Sequence, residues 1–189
     1  MKGLLIGIYF DGSLAQKSDY FDFENNIYEI DWEFYEQLDK NNTGKGSFYP
    51  GFRVLRQETD GSLAVEHLGV TVNIQRDRHL QLADQSVAVG DLVAIWMPPS
   101  QLKPGFYTAV GDAFIDFDFS TPAVVVYFNF TYEGAIAAMQ GLTSRLNAIK
   151  IPFSLMVLYN PSNYGFYRSG MLRFERKNYQ LVRQVLRTI

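Results

Sequence analysis

The sequence predicts a single α+β domain, with a mostly antiparallel sheet and two or three packed helices. The chain has 189 residues, 47% of them hydrophobic, which suits one domain with its own core over residues 1–189. Its first two-thirds consists mainly of short strand patterns joined by turns. Its last third follows the order strand, helix, strand, strand, helix. Because this order lacks a regular alternation of strands and helices, it favours helices packed on an antiparallel sheet.

The first predicted helix lies near residue 30. Ile30, Phe34 and Leu38 recur four positions apart, which places them on one helical face. Asp31 is a candidate N-cap, since its carboxylate can accept hydrogen bonds from the first free backbone amides. Before this helix, residues 3–10 form a short apolar run that fits either a strand or the end of a buried helix.

Consecutive strands are predicted in the middle of the chain. The pair Asp60-Gly61 is typical of a tight turn between two hairpin strands. The alternating run from Val70 to Ile74 predicts that its β-branched side chains face inward. Residues 76–91 are interpreted as a charged connection, and residues 92–97 as a short apolar strand that two prolines stop.

The last third contains the strongest secondary-structure signals. Residues 123–130 are β-branched and aromatic, which predicts a strand through the centre of the sheet. Thr131 is a candidate N-cap of the following helix, whose apolar residues recur at helical intervals. Strands at 152–159 and 170–174 and a closing helix within 175–189 complete the predicted fold.

Composition excludes several classes of function. The formal net charge of −3 argues against nucleic-acid binding through phosphates. With no cysteine and two histidines, the chain offers no thiolate metal site or thiol nucleophile, and no metal site is predicted. No cofactor is predicted either, because the phosphate-binding, zinc-protease and serine-esterase motifs are absent. No apolar run approaches the roughly 20 residues of a membrane helix, so we expect a soluble, cytoplasmic protein.

Charge is unevenly spread along the chain. Acids clearly outnumber bases between residues 11 and 39, and the balance reverses from residue 145 onward. The commoner explanation is that these charges complement one another or lie on solvated faces. The sharper hypothesis is a basic surface for an acidic or phosphorylated partner.

One candidate site contains Arg76, Arg78 and His79. In an extended chain the two arginines share a face, and two guanidinium groups can bind a phosphate in bidentate fashion. The histidine could then act as an acid, and Arg53 is a candidate further anion ligand. The commoner explanation is a solvated loop neutralised by neighbouring acids, with Arg53 as an exposed strand residue.

A second candidate site surrounds the Asn-Pro turn near residue 160. Tyr159 and Tyr164 flank this turn, Arg168 and Arg173 follow it, and Lys150 precedes it. Tyrosines in loops beside cations are typical of protein interfaces. The sequence therefore predicts a protein- or peptide-binding surface here, although most aromatic residues are expected in the core.

The stretch from Val125 to Gly170, which includes LNAIKIPFSLMVLYNPSNYGFYRSG, resembles the core of the HopA-type family of type III secretion effectors. The preceding segments DWEFYEQLDKNN and VGDLVAIWMPPSQLKPG are similar to cyanobacterial members. The resemblance covers residues 30–186 and implies an α+β fold. It also implies that the chain is shorter than most members at both ends.

Two functions are implied by this resemblance. Plant-pathogen members bind immune proteins inside host cells. Relatives in class V lanthipeptide clusters resemble lyases that work with a kinase-like partner and eliminate phosphate from phosphoserine or phosphothreonine in a peptide. Such an elimination needs a base, an acid and a cationic phosphate site. Here the proton-transfer residues would be His79 or Lys150, and phosphate would be held by Arg53, Arg76, Arg78 and Arg168.

The chain departs from the family pattern within one short stretch. It has Met156 where the resemblance implies a lysine, and methionine can neither carry charge nor transfer a proton. It has Phe166 and Arg168 where an arginine and an aspartate are implied, and Arg173 where a tyrosine is implied. These departures favour a degenerate site that binds a protein or peptide over a lyase, and they leave open whether the chain is an enzyme.

Overall fold

The computed structural model describes residues 29–81, 84, 86–113, 121–164 and 168–189. Within these ranges the chain forms nine strands and four helices, grouped into two compact units. Each unit contains one antiparallel sheet, which confirms the predicted α+β class. The single domain over residues 1–189 stays a prediction. The predicted element at 3–10 and Phe166 lie outside the described residues.

The unit Gly46–Pro98 contains a four-stranded sheet. Its strand order is β3-β2-β1-β4, and its elements are β1 Ser47–Gln57, β2 Leu63–His67, β3 Val70–Ile74, the short helix α2 Arg76–His79 and β4 Leu92–Met97. The predicted turn at Asp60-Gly61 joins β1 to β2, and Gly61 has a φ of +86°, which glycine adopts without strain. One face of this sheet forms an apolar core around Val54, Val65 and Ile95.

Two expectations for this unit were wrong. The predicted connection at 76–91 begins with the helical turn α2 instead of irregular chain. Val70 lies on the same face as Ile74 but is not buried there, since 62% of its surface is exposed, whereas Ile74 at the other end of β3 is 4% exposed. Val70 directly follows the tight turn at Leu68-Gly69, where the strand leaves the part of the sheet that the core covers.

The second unit comprises the described residues of 29–45 and 99–189 and contains a five-stranded sheet. The strand order is β5-β6-β8-β9-β7, with every neighbouring pair antiparallel. Its elements are α1 Trp32–Asn41, β5 Ser100–Lys103, β6 Phe106–Val110, β7 Ala123–Phe128, α3 Tyr132–Ala148, β8 Phe153–Leu158, β9 Gly170–Glu175 and α4 Tyr179–Leu186.

Helices α1 and α3 begin at the predicted N-caps. The Asp31 carboxylate accepts a hydrogen bond of 2.9 Å from the amide of Phe34. The Thr131 hydroxyl accepts one of 3.1 Å from the amide of Gly134. Each bond satisfies an amide that has no partner within its helix, and a cap of this kind stabilises a helix by about 1 kcal/mol.

Helices α1, α3 and α4 all pack on one face of the five-stranded sheet. The core joins helix residues such as Leu38, Met139 and Val182 to strand residues such as Leu155 and Leu172. We call this side the helix-covered face. Successive side chains of a strand point to opposite faces of the sheet. The neighbours in sequence of these core residues therefore point to the other face, which we call the second face. On that face the described helices contribute nothing to the core.

The position of β7 corrects one prediction. Within the predicted range 123–130, residues 123–128 form a strand, but in the sheet of the described residues it lies at the edge and not at the centre. Strand β5 was not predicted, because it has four residues and stands between prolines.

In the described part of the chain, no helix is both long and apolar enough to cross a membrane.

Candidate functional site

The residues that the sequence singled out are divided between the two units. The unit Gly46–Pro98 contains the predicted anion ligands and acid Arg53, Arg76, Arg78 and His79. The other unit contains the predicted base and binding residues Lys150, Tyr159, Tyr164, Arg168 and Arg173.

Two of the predicted anion ligands bind the backbone of their own unit. Arg53 Nη1 donates 3.1 Å to the carbonyl of Gly90. Arg76 Nη1 donates 3.0 Å to the carbonyl of Val87, and its Nη2 donates 3.2 Å to the side chain of Gln57. Both guanidinium groups therefore stabilise the chain that follows α2, and a role in phosphate binding stays a prediction.

The expected common face of Arg76 and Arg78 is wrong. These residues belong to α2, and positions two apart in a helix point in different directions. Arg76 is half-buried and Arg78 is exposed. His79 ends the same turn, with Nδ1 3.1 Å from both the amide nitrogen and the carbonyl oxygen of Gln75.

Tyr159 and Tyr164 lie against the core and not on a free surface. Tyr159 is 3% exposed, and its hydroxyl accepts a hydrogen bond of 2.9 Å from the amide of Gly105. Tyr164 is half-buried, and its hydroxyl donates 2.9 Å to the carbonyl of Leu158. Burial raises the pKa of Tyr164 well above its usual value. These contacts give both side chains a structural role, and their part in binding stays a prediction.

Lys150 lies just beyond the C-terminus of α3. Its side chain is exposed, and its φ of +53° is in the left-handed region, which lysine rarely adopts. The amide of Lys150 donates 3.0 Å to the carbonyl of Asn147 and so helps to end the helix. This backbone role is established by the geometry, whereas proton transfer by its amine stays a prediction.

The sheet register brings Arg173 and Met156 onto the second face. Arg173 pairs with Val125 on one side and with Ser154 on the other. Met156 pairs with Met171, which in turn pairs with Tyr127. Because residues paired across strands point to the same side, these side chains form two adjacent rows across β8, β9 and β7.

Arg168 extends these rows. Its guanidinium carbon lies 5.4 Å from the centre of the Tyr127 ring, within the range of a cation–π interaction. We define the arginine patch as the side chains of Val125, Tyr127, Met156, Met171, Arg168 and Arg173. Val125 is 41% exposed and Tyr127 51% exposed, and the other four are half-buried.

Val125 and Tyr127 were not predicted from the sequence as site residues. The alternation in β7 could have identified them, because an edge position leaves every second side chain on the second face exposed. Their strand was instead assigned to the sheet centre, where both faces are normally covered. The alternation is visible in the sequence of β7, but the edge position of this strand depends on the strand order, which the sequence does not reveal.

The second face becomes more buried toward β6. Thr108 pairs with Met156 and is fully buried, and Ser154 is 7% exposed. Among the described residues, the hydroxyl oxygen of Thr108 has no hydrogen-bond partner. The face therefore combines uncharged buried residues near β6 with two cations and an exposed aromatic ring near β7, which suits recognition of a partner better than chemistry.

The model of the HopA1 effector protein family matches residues 97–189. This segment is just under half of the chain and contains all five strands of the larger sheet and the whole arginine patch. The match confirms the resemblance to an effector family over these residues. No curated protein matches the chain.

Proposed function

We propose that the chain is an effector-type binding module that holds an acidic segment of a protein or peptide partner on the arginine patch. The observation behind this proposal is the position of Arg168 over the exposed ring of Tyr127. A stacked guanidinium is held in a defined orientation, and its planar fork of N–H donors matches the geometry of a carboxylate or phosphate. A cytoplasmic location is part of the same proposal.

The composition of the patch supports an interface. Tyrosine, methionine and arginine are enriched in the central parts of protein interfaces, and all three types occur here. Val125 and Tyr127 supply exposed apolar surface, and Met156 and Met171 form an adaptable apolar floor. A partner could therefore bury apolar area and also pair with the two arginines.

The charge of the patch indicates the chemistry of the partner. Arg168 and Arg173 are cations, and the other four members of the patch are uncharged. The nearby acid Glu175, at the end of β9, forms an ion pair with Lys177. Complementary charge increases the association rate and selects against basic partners, so we expect an acidic or phosphorylated segment.

The phosphopeptide lyase is less well supported. Elimination would require a group that removes the α-proton of the phosphorylated residue as the phosphate leaves its β-carbon. Met156, at the β8 end of its row in the patch, cannot take part in proton transfer. The backbone amide of Lys150 helps to end α3. Lys150 is not a member of the arginine patch.

One experiment separates the two functions. A fluorescent peptide of alternating glutamate and valine, with one phosphothreonine, is titrated with the protein and followed by anisotropy. We expect saturable binding that weakens at least about tenfold in Arg168→Glu and in Arg173→Glu. Arg187→Glu is the matched control, because Arg187 is an exposed arginine just beyond α4. This variant should bind the peptide as tightly as the unchanged chain does.

The mass of the same peptide is followed after incubation. An unchanged mass together with patch-dependent binding supports the binding module. Loss of phosphoric acid that disappears in Arg168→Glu would establish the lyase instead. The proposal fails if neither the phosphorylated peptide nor its unphosphorylated form binds, or if Arg187→Glu weakens binding as much as the patch variants do.

A further inference from the structure

The four-stranded sheet carries an apolar groove of about 620 Å³ on the face that forms its core. The groove is lined within the unit Gly46–Pro98 by strands β1 to β4, the turn between β2 and β3, and α2. Apart from Asn73 and two histidines, its lining side chains are apolar or aromatic. A volume of about 300–1,000 Å³ with few polar groups is typical of small-molecule sites.

The floor of the groove is part of the core. Phe52, Ile74 and Ile95 line it and are 9%, 4% and 2% exposed. These side chains are fixed by the packing beneath them, so the floor needs little rearrangement to receive a ligand. A preformed apolar floor reduces the entropy lost on binding.

The rim of the groove contains an unfavourable residue. Leu68 is 87% exposed and has a φ of +50°, a backbone conformation that leucine rarely adopts. It is followed by Gly69 with a φ of +81°, and asparagine or glycine would suit the first position of such a turn better. Both the exposure of its apolar side chain and its positive φ are thus unfavourable for Leu68. Strained backbone of this kind is common at binding sites.

His67 supplies a polar group within this apolar lining. Its ring packs against Phe52, with ring centres 4.9 Å apart, and its Nδ1 lies 3.0 Å from the carbonyl of Gly51. Since a carbonyl only accepts, Nδ1 carries a proton in this contact, which leaves Nε2 to interact with a ligand. Within the described part of the chain, Nε2 of His67 has no hydrogen-bond partner.

We propose that this groove binds an amphiphilic carboxylic acid, with its apolar chain on the floor and its carboxyl group at Nε2 of His67. A carboxylic acid suits this nitrogen in either state, because it can donate its proton to the neutral ring or accept one from the charged ring. The apolar lining excludes water from the chain of the ligand. His79 lines the same groove and offers a second imidazole to the ligand.

A tryptophan in the groove provides the measurement. The chain has two tryptophans, Trp32 on α1 and Trp96 in the groove lining, so Trp32→Phe leaves Trp96 as the only fluorophore of its kind. The full chain with this change is titrated with dodecanoic acid brominated at its chain end, below the concentration at which the acid forms micelles. Bromine quenches tryptophan on contact, and we expect saturable quenching of Trp96.

Two valines give a matched pair of variants. Val70 lines the groove and Val89 does not, and each is 62% exposed. In the Trp32→Phe background, Val70→Glu should weaken quenching at least about tenfold, because it places a negative charge over the apolar floor and beside the carboxyl group at His67, the cross-strand partner of Val70. Val89→Glu should leave quenching unchanged. Circular dichroism of both variants checks that the fold is retained.

The head group is tested separately. The methyl ester of the brominated acid has no proton to donate and no charge, so it should bind at least about fivefold more weakly than the acid. His67→Phe should remove this difference between acid and ester while it preserves packing on Phe52. A difference of the same size in His67→Phe would disprove the role of His67.

Other outcomes overturn the proposal. Absence of saturable quenching, or equal quenching in Val70→Glu and Val89→Glu, would show that the groove does not hold the acid. A second copy of the chain is the main alternative occupant. It would appear as a concentration-dependent dimer in sedimentation that Val70→Glu dissociates and the acid does not.

Discussion

The amide of Ile151 donates a hydrogen bond of 2.9 Å to the carbonyl of Leu146, across the left-handed residue Lys150. With the bond from Lys150 to Asn147, this is the pattern of a Schellman motif that ends α3. Leu146 and Ile151 are both buried, so an apolar contact accompanies the turn. Lysine occupies the position that glycine usually takes.

Replacing Lys150 by glycine should therefore raise the free energy of unfolding by about 0.5–1 kcal/mol. Glycine adopts the positive φ without the steric penalty of a β-carbon, which outweighs its greater freedom in the unfolded chain. Urea denaturation provides the measurement. Lys150→Ala is the control and should change little, because alanine keeps the β-carbon and removes only the exposed amine. A less stable glycine variant would contradict this account.

Thr108→Val should raise the free energy of unfolding by about 1 kcal/mol. The Thr108 hydroxyl is buried without a partner among the described residues, and a methyl group of similar size removes that desolvation penalty. Thr143→Val is the matched control and should lower it by about 1–2 kcal/mol. The Thr143 hydroxyl donates 2.7 Å to Met139 and accepts 3.1 Å from the amide of Thr43. Equal effects in the two variants would refute the distinction.

Stability should fall above pH 10 through Tyr107 and Tyr164. Burial is the main cause that raises the pKa of both hydroxyls from the ordinary value of 10.0. Above pH 10 the unfolded chain loses these protons while the folded chain keeps them, so the unfolded state is favoured as pH rises. Each tyrosine should contribute up to about 1.4 kcal/mol per pH unit. Below pH 10 this contribution to stability is fully retained.

Denaturation between pH 8 and about pH 11 measures the effect. Tyr164→Phe should show a smaller decline above pH 10 than the unchanged chain, since it has one fewer hydroxyl to ionise. Tyr179→Phe is the control, because Tyr179 is 45% exposed and its loss should leave the decline unaltered. An identical pH dependence in Tyr164→Phe and the unchanged chain would count against the assignment.

Gly170→Ala should lower the free energy of unfolding by about 1–3 kcal/mol. A β-carbon at Gly170 would lie 2.2 Å from a ring carbon of Phe130, which cannot be tolerated without movement. Phe130 stacks on Phe128 with ring centres 4.8 Å apart, so its ring is not free to turn aside. The double variant Gly170→Ala with Phe130→Ala should lose less than the two single changes together. Strict additivity would exclude this clash as the cause.

Features encoded over a few residues were predictable from the sequence. Asp31 and Thr131 were identified as N-caps because capping needs only a short polar side chain beside the first free amides. The turn at Asp60-Gly61 was identified because few residues adopt a positive φ. The match to residues 97–189 likewise agrees with the resemblance noted in that part of the sequence.

Features that depend on distant parts of the chain were not predictable. The sequence of β7 suits an interior strand, and its edge position follows from where β9 pairs. The inward orientation of Tyr159 depends on the amide of Gly105, which is far away in sequence. The helical turn at Arg76–His79 was missed because four residues are too few for a helical period to appear.

The place of β9 between β7 and β8 affects how the protein is made. Both neighbours run antiparallel to β9 and thus parallel to each other, with α3 connecting them. On the ribosome, β7, α3 and β8 emerge before the strand that must fill the slot between them. The sheet therefore closes only after β9 has emerged, and a stall before residue 170 would expose two uncharged, apolar strand edges to aggregation or to chaperones.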